Sequence, residues 1–131
     1  MILQPVESDG YTLNGSSTTL LDNNGAADDG IVEAPLLRRT SSGTYVLFFS
    51  SGCFTTDSYT VSYATATSIT GSYTRATDPL LSTDDGHGLT APGGMDVWSD
   101  NQHMIFHANN DDGGRSLYTA LISISRTSVS V

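Results

Sequence analysis

The chain contains no lysine. Its five basic residues are all arginines, set against 14 acidic residues for a net charge of −9. That balance excludes a basic patch as the means of binding nucleic acid or an anionic membrane. There is one cysteine, Cys53, so no disulfide can close within the chain. Cys53 reads as a small buried hydrophobe at a strand end; a nucleophile would need a nearby histidine, which the sequence does not place beside it. No apolar run approaches the length of a membrane span, and no window keeps a helical period. Met1 to Gly10 lacks the basic start and apolar stretch of a signal peptide, so a leader is either removed or outside these residues. Charged residues are only 15% and hydrophobic ones 37%, and Ser, Thr and Gly abound. Such a composition suits a soluble all-β protein with an ordered core rather than a disordered chain. At 131 residues one domain with a modest core is expected.

What is present is strand after strand. Tyr45-Val46-Leu47-Phe48-Phe49 is β-branched and aromatic, bounded by Ser41-Ser42-Gly43 and Ser51-Gly52. Tyr59 to Thr65 alternates as a half-buried strand should. Gly71 to Arg75 reads as a short polar outer strand, and His103–His107 and Ser116–Ser125 as two further strands.

These segments recur. A shift of 57 positions lays Val32-Glu33-Ala34-Pro35 on Leu89-Thr90-Ala91-Pro92 (32 to 89) and Val46-Leu47-Phe48-Phe49 on His103-Met104-Ile105-Phe106 (46 to 103). Asp28-Asp29-Gly30 before the first unit matches Asp84-Asp85-Gly86 before the second. Four short strands in each unit of about 40–60 residues are the pattern of β-propeller blades. The expected fold is therefore all-β, with about two four-stranded blades at residues 30–83 and 84–131. Residues 1–29 read as outer strands of a preceding blade.

Glu33 stands out within this repeat. It is one of two glutamates, and it sits in an otherwise apolar run, Ile31-Val32-Glu33-Ala34-Pro35. A lone carboxylate in an apolar strand is costly unless it is paired or used. The second copy carries the segment without the acid.

With Val32-Glu33-Ala34-Pro35, the strand Tyr45 to Gly52, Tyr63-Ala64-Thr65-Ala66, Ile69 to Tyr73, Ala91-Pro92-Gly93-Gly94, Phe106-His107-Ala108-Asn109 and Gly113-Gly114-Arg115 in this order, the chain resembles the glycoside hydrolases of family 43. The nearest look is of a fungal arabinofuranosidase- or xylosidase-like branch. The resemblance implies part of a five-bladed propeller that cleaves arabinofuranosyl or xylosyl linkages in plant cell-wall polysaccharide. It implies that Glu33 is the general acid of an inverting hydrolysis, in which a second carboxylate activates water from the opposite face. It also implies that this base and a second, tuning aspartate precede the residues seen here, leaving the C-terminal portion of the ring. Asp9, Asp22, Asp28 and Asp29 do not sit in matching motifs, and Asp28 and Asp29 read as turn residues.

The same resemblance gives Arg115 a place at the sugar, where a planar guanidinium can hold two hydroxyl oxygens. It allows His87 to neighbour a structural calcium or sodium ion, and His107, which sits where the first unit has Ser50, either lines the pocket or caps a strand. For that ion two registers compete. Gly86-His87-Gly88 would supply the ligand, whereas Pro92-Gly93-Gly94, which the repeat favours, would lack it. No cofactor is required. His103 reads as a solvent-facing strand residue. Asn14-Gly15-Ser16 is a glycosylation sequon, a common triplet that leans toward an extracellular protein. The alternative to a glycosidase is a non-catalytic propeller fragment that binds carbohydrate or self-assembles. An open pair of blades exposes apolar faces, so a homo-oligomer or additional N-terminal blades are expected.

Overall fold

The computed structural model describes residues 1–131. The chain is built from antiparallel strands throughout. A two-stranded ribbon, β1 (Ile2–Leu3) with β2 (Thr18–Thr19), leads the chain. A four-stranded sheet follows in the order β3 (Val32–Arg39), β4 (Tyr45–Ser51), β5 (Thr60–Ala66), β6 (Thr74–Arg75). A three-stranded sheet comes next, β7 (Gly93–Val97), β8 (His103–Asn109) and β9 (Arg115–Leu121). A second ribbon, β10 (Ser123–Ile124) with β11 (Val129–Ser130), closes it. The one helical segment is a 3-10 turn at Gly25–Asp28, and no helix is long and apolar enough to cross a membrane.

Strand β4 shows why two sheets stack. Its residues alternate between faces, and both faces are apolar and covered. Val46 and Phe48 pack with Val61 and Tyr63 against Met95, Val97, Met104 and Phe106 of the second sheet. Leu47 and Phe49 on the opposite face pack with Ala64 against Leu20 and Leu21 behind the leading ribbon. Each fully buried side chain of this size contributes roughly 1.5–3 kcal/mol. The stacked pair is therefore held mainly by this interlayer core.

The second sheet departs from the expected four strands. The run Ser116–Ser125 splits at Ile122, whose N–H bonds the Gln102 carbonyl at 2.7 Å outside the ladder. Ser125 then starts a tight turn, with its Oγ accepting from the Ser128 N–H at 3.1 Å. The turn sends the chain back as β11, where Val129 is buried in the interlayer core. Cys53 also departs from expectation. It lies half-buried in the turn after β4, with its thiol 3.1 Å from Thr55 Oγ1.

The repeat is real in three dimensions, but its register differs from the sequence match. Glu33 pairs with Ser50 and Leu36 with Phe48 across a bulge. Gly93 pairs with His107 and Asp96 with Ile105 across a bulge at the same place. The second strands are related by 57 positions (Ser50 to His107), but the first strands by 60 (Glu33 to Gly93). The left-handed residue inside each bulge agrees, Ala34 at φ 49° and Gly94 at φ 57°. The structural counterpart of Glu33 is thus Gly93, not Thr90. Ala91-Pro92 resembles Ala34-Pro35 in sequence and in the left-handed φ of its alanine, 51° against 49°, while lying three residues out of ladder register.

One ion pair anchors the loop that feeds β3. Asp28 is 3% exposed and receives Arg75 from β6 through two hydrogen bonds of 2.8 and 3.1 Å. Ser51 Oγ donates to it at 2.7 Å and the Asn24 N–H at 2.6 Å. Burial alone would raise this carboxyl. The bonds from Ser51, Asn24 and Arg75 outweigh it and hold Asp28 below the ordinary aspartate range. Asp28 is therefore more than a turn residue: it ties the approach to Glu33 onto β4 and β6.

Candidate active site around Glu33

Glu33 stands at the start of β3, on the residue before the bulge. Ala34 holds a left-handed φ that an L side chain adopts at a cost of roughly 1 kcal/mol or more. Its neighbour in sequence, Pro35, fixes the strand beyond it. Glu33 is exposed, and the surroundings of its carboxyl are polar rather than the apolar setting the sequence suggests. Its Oε1 accepts a hydrogen bond of 2.8 Å from the Tyr59 hydroxyl. Tyr59, just before β5, is 2% exposed. Burial pushes its phenol pKa up, and the Glu33 carboxylate pushes it further, against the opposing pulls of Ser50 and Arg115.

The second sheet supplies the rest of the cluster. His107 on β8 stacks on Tyr59, with ring centroids 6.1 Å apart and planes 25° from parallel. Arg115, at the start of β9, lies over the same ring at 5.3 Å. Its Nε–H donates to His107 Nδ1. An accepting Nδ1 leaves the neutral ring's hydrogen on Nε2. Burial first, and the Arg115 charge second, push His107 below the ordinary histidine value, while Glu33 pulls it the other way. His107 is therefore a neutral donor at neutral pH.

Arg115 is held more tightly than the sequence implies. Besides His107 Nδ1, its guanidinium donates to Asn109 Oδ1 at 2.6 Å and to the carbonyls of Phe54 and His107 at 3.2 Å each. It also donates to the Ala91 carbonyl. All five N–H groups are engaged. A sugar hydroxyl must displace one of these bonds to reach it, and the exposed bond to Phe54 is the weakest placed. Phe54, Asn109 and Arg115 also line a cleft of about 300 Å³ beside the cluster.

The other histidines lie elsewhere. His103 is at the opposite end of β8, paired with Leu121, and its Nδ1 meets Asp100 at 2.6 Å on the surface. His87 sits in an exposed loop and lines a different cleft with Tyr63, Pro79 and Val129. The structure gathers no ring of side-chain ligands about it. Asp85 beside it accepts the N–H groups of Ser82 and His87, and nowhere do three His, Cys, Asp or Glu side chains gather to hold a metal. No step below is routed through one.

Sequence reasoning placed Glu33, His107 and Arg115, and the fold brings these three around one aromatic ring. It missed Tyr59, the ring that joins them. The available signal was the alternation Tyr59, Val61, Tyr63, which puts all three on the inward face. The cluster contains no second carboxylate. A base for an inverting hydrolysis is absent from among these side chains.

No protein-family model and no curated protein matches the sequence. Solved structures do match. An endo-1,4-β-xylanase from Bacteroides thetaiotaomicron VPI-5482 superposes with a TM-score of 0.82 at 22% identity, over 98% of this chain and 48% of that one. A GH43 endo-arabinanase from Bacillus licheniformis gives 0.79 at 26% identity, over 99% and 48%. A thermostable family-43 glycoside hydrolase gives 0.79 at 19%, over 97% and 45%. The chain thus spans less than half the length of each of these. Its fold is that of part of a five-bladed family-43 glycoside hydrolase propeller.

Proposed function

We propose that the chain is the acid-bearing portion of a glycoside hydrolase acting on arabinofuranosyl or xylosyl linkages of plant cell-wall polysaccharide, outside the cell, with inversion. The observation that carries this reading is Glu33 at a strained bulge, its carboxyl held by a buried tyrosine. In this role the protonated Glu33 gives its proton to the glycosidic oxygen as the bond from the anomeric carbon to that oxygen breaks. The electron pair of that bond stays with the oxygen. Water, deprotonated by a carboxylate from polypeptide beyond these residues, attacks the anomeric carbon from the opposite face. His107 offers Nε2–H to a sugar hydroxyl. Arg115 holds His107 in that tautomer and exchanges its Phe54 bond for a second hydroxyl.

The xylanase, xylosidase and arabinanase descriptions of the matched structures support the substrate class. The expected result is release of arabinose or xylose from unactivated oligosaccharides by this chain together with the polypeptide that carries the base carboxylate, sharply reduced by Glu33→Gln. An E33Q variant as active as the parent would refute the assignment.

A second reading has its own observation. The second sheet presents Leu117, Leu121 and Ile105 to solvent, 73%, 66% and 42% exposed. A non-catalytic fragment that assembles through this face would give a discrete oligomer without turnover.

A further inference from the structure

We propose that Tyr59 is the positioning residue that aims the Glu33 carboxyl, and that the Gly93–Gly94 pair is the socket that admits it. The proposal rests on the reading of Glu33 as proton donor.

The second sheet gives up side chains where the first sheet needs room. Gly93 is the structural counterpart of Glu33, and a Cβ there would fall 1.9 Å from Tyr59 Cε1 and 2.5 Å from Cδ1 and Cζ. Those are overlaps with a buried ring, so the ring would have to leave. Gly93 has no left-handed φ to justify glycine, and space alone accounts for it. Gly94 does have a positive φ, and a Cβ on it would sit 2.2 Å from His107 Nε2. Two adjacent glycines thus admit two rings, Tyr59 and His107, and these stack on each other.

The hydroxyl is fixed as firmly as the ring. The Gly94 N–H donates to Ser50 Oγ at 2.8 Å, Ser50 pulls the Tyr59 phenol pKa down, and Tyr59 donates to Glu33 Oε1. Ser50 is fully buried and pairs with Glu33 across the ladder. The second sheet thus holds Ser50 on one side of the hydroxyl while the hydroxyl itself bonds the acid on the other. With Oε1 accepting from Tyr59, the proton to be given is the one on Oε2. As that proton leaves, charge builds on the carboxylate and the Tyr59 bond becomes charge-assisted, stronger than in the ground state. Tyr59 thereby favours the transition state without touching the substrate.

The test has two arms. In the first, tyrosine ring carbons are labelled and titrated by NMR in the whole chain. Glu33→Gln is expected to move the Tyr59 transition to lower pH and leave that of Tyr73 in place. Gly93→Ala is expected to do the same by displacing the ring. A Tyr59 transition unmoved by E33Q overturns the proposal, whatever the activity. In the second arm, Tyr59→Phe is expected to lower kcat about tenfold with KM within about twofold, the loss of one hydrogen bond to a developing charge. It should also displace the limb of the pH–rate profile that reports the acid. An unchanged profile, or a loss confined to KM, overturns the proposal. Absence of turnover in the parent even when the polypeptide carrying the base carboxylate is supplied, with the first arm intact, refutes the glycosidase reading rather than the Tyr59–Glu33 coupling.

Discussion

The two sheets follow one plan and have diverged in two places. Each carries a bulge opposite the end of its second strand, with a left-handed residue inside it. The first sheet puts Glu33 before that residue; the second puts Gly93, and the vacated space holds the tyrosine that bonds Glu33. The second divergence lies in burial. Phe48 is fully buried between the sheets, while its counterpart Ile105 is 42% exposed on a face that nothing in the chain covers. One unit carries the carboxylate and a covered core. The other has become a support on one side and an open surface on the other. A duplicated element can therefore contribute to a site by what it lacks.

The largest expected effect concerns the acid. Glu33→Gln should lower turnover of unactivated glycosides by roughly 10²–10⁴, the range of general acid catalysis, and Gly93→Asp, an acid in the other copy, should not restore it. Kinetics on an aryl glycoside series decide this; activity in the G93D,E33Q double variant would break the asymmetry.

Much of this asymmetry was legible in the sequence. The strands were, because Tyr45–Ser51 and Thr60–Ala66 are β-branched and aromatic between Ser and Gly turns. The repeat was legible as well, but its first strand was read three residues out, because Ala91-Pro92 imitates Ala34-Pro35 and a bulge leaves no mark in composition. The pair Asp28–Arg75 was not legible: its partners lie 47 positions apart, and only the folded sheet brings them together. For Arg115 the sequence supplied the charge but not its five acceptors, three of which come from loops and a strand end and two from His107 within β8. The polar surroundings of Glu33 were hidden for the same reason, since Ser50 and His107 reach it only through ladder register.

The next effect tests the burial difference. Phe48→Ala should cost about 3–5 kcal/mol, and Ile105→Ala at the equivalent site less than about 1 kcal/mol, by urea denaturation. Equal costs would mean that the second face is covered in solution.

A smaller effect comes from Asp28. Its folded carboxyl titrates below the unfolded value, so the stability it gives is present above about pH 4 and is lost as pH falls through the folded value. Asp28→Asn should flatten the acid limb of stability against pH. It should also cost about 2 kcal/mol near neutrality, less than for a fully buried pair because Arg75 is partly solvated. An acid limb unchanged in D28N would assign acid unfolding elsewhere.

The smallest effect belongs to His107. Burial and the Arg115 charge hold its folded pKa below the ordinary histidine value of about 6.5, so the unfolded chain binds the extra proton first. Stability from the neutral ring is complete above about pH 6.5 and declines as pH falls toward the folded value. His107→Gln should remove that slope, while His103→Gln, on the exposed end of the same strand, should keep it.

The most direct test of the central claim is a titration of the isotopically labelled chain with arabino- and xylo-oligosaccharides, following its three histidines and two glutamates by NMR. The account predicts that His107 and Glu33 shift together and saturate together, while His87, His103 and Glu7 stay still. Saturable shifts confined to His87 or His103, or no shift at His107 and Glu33 at high sugar concentration, would contradict it.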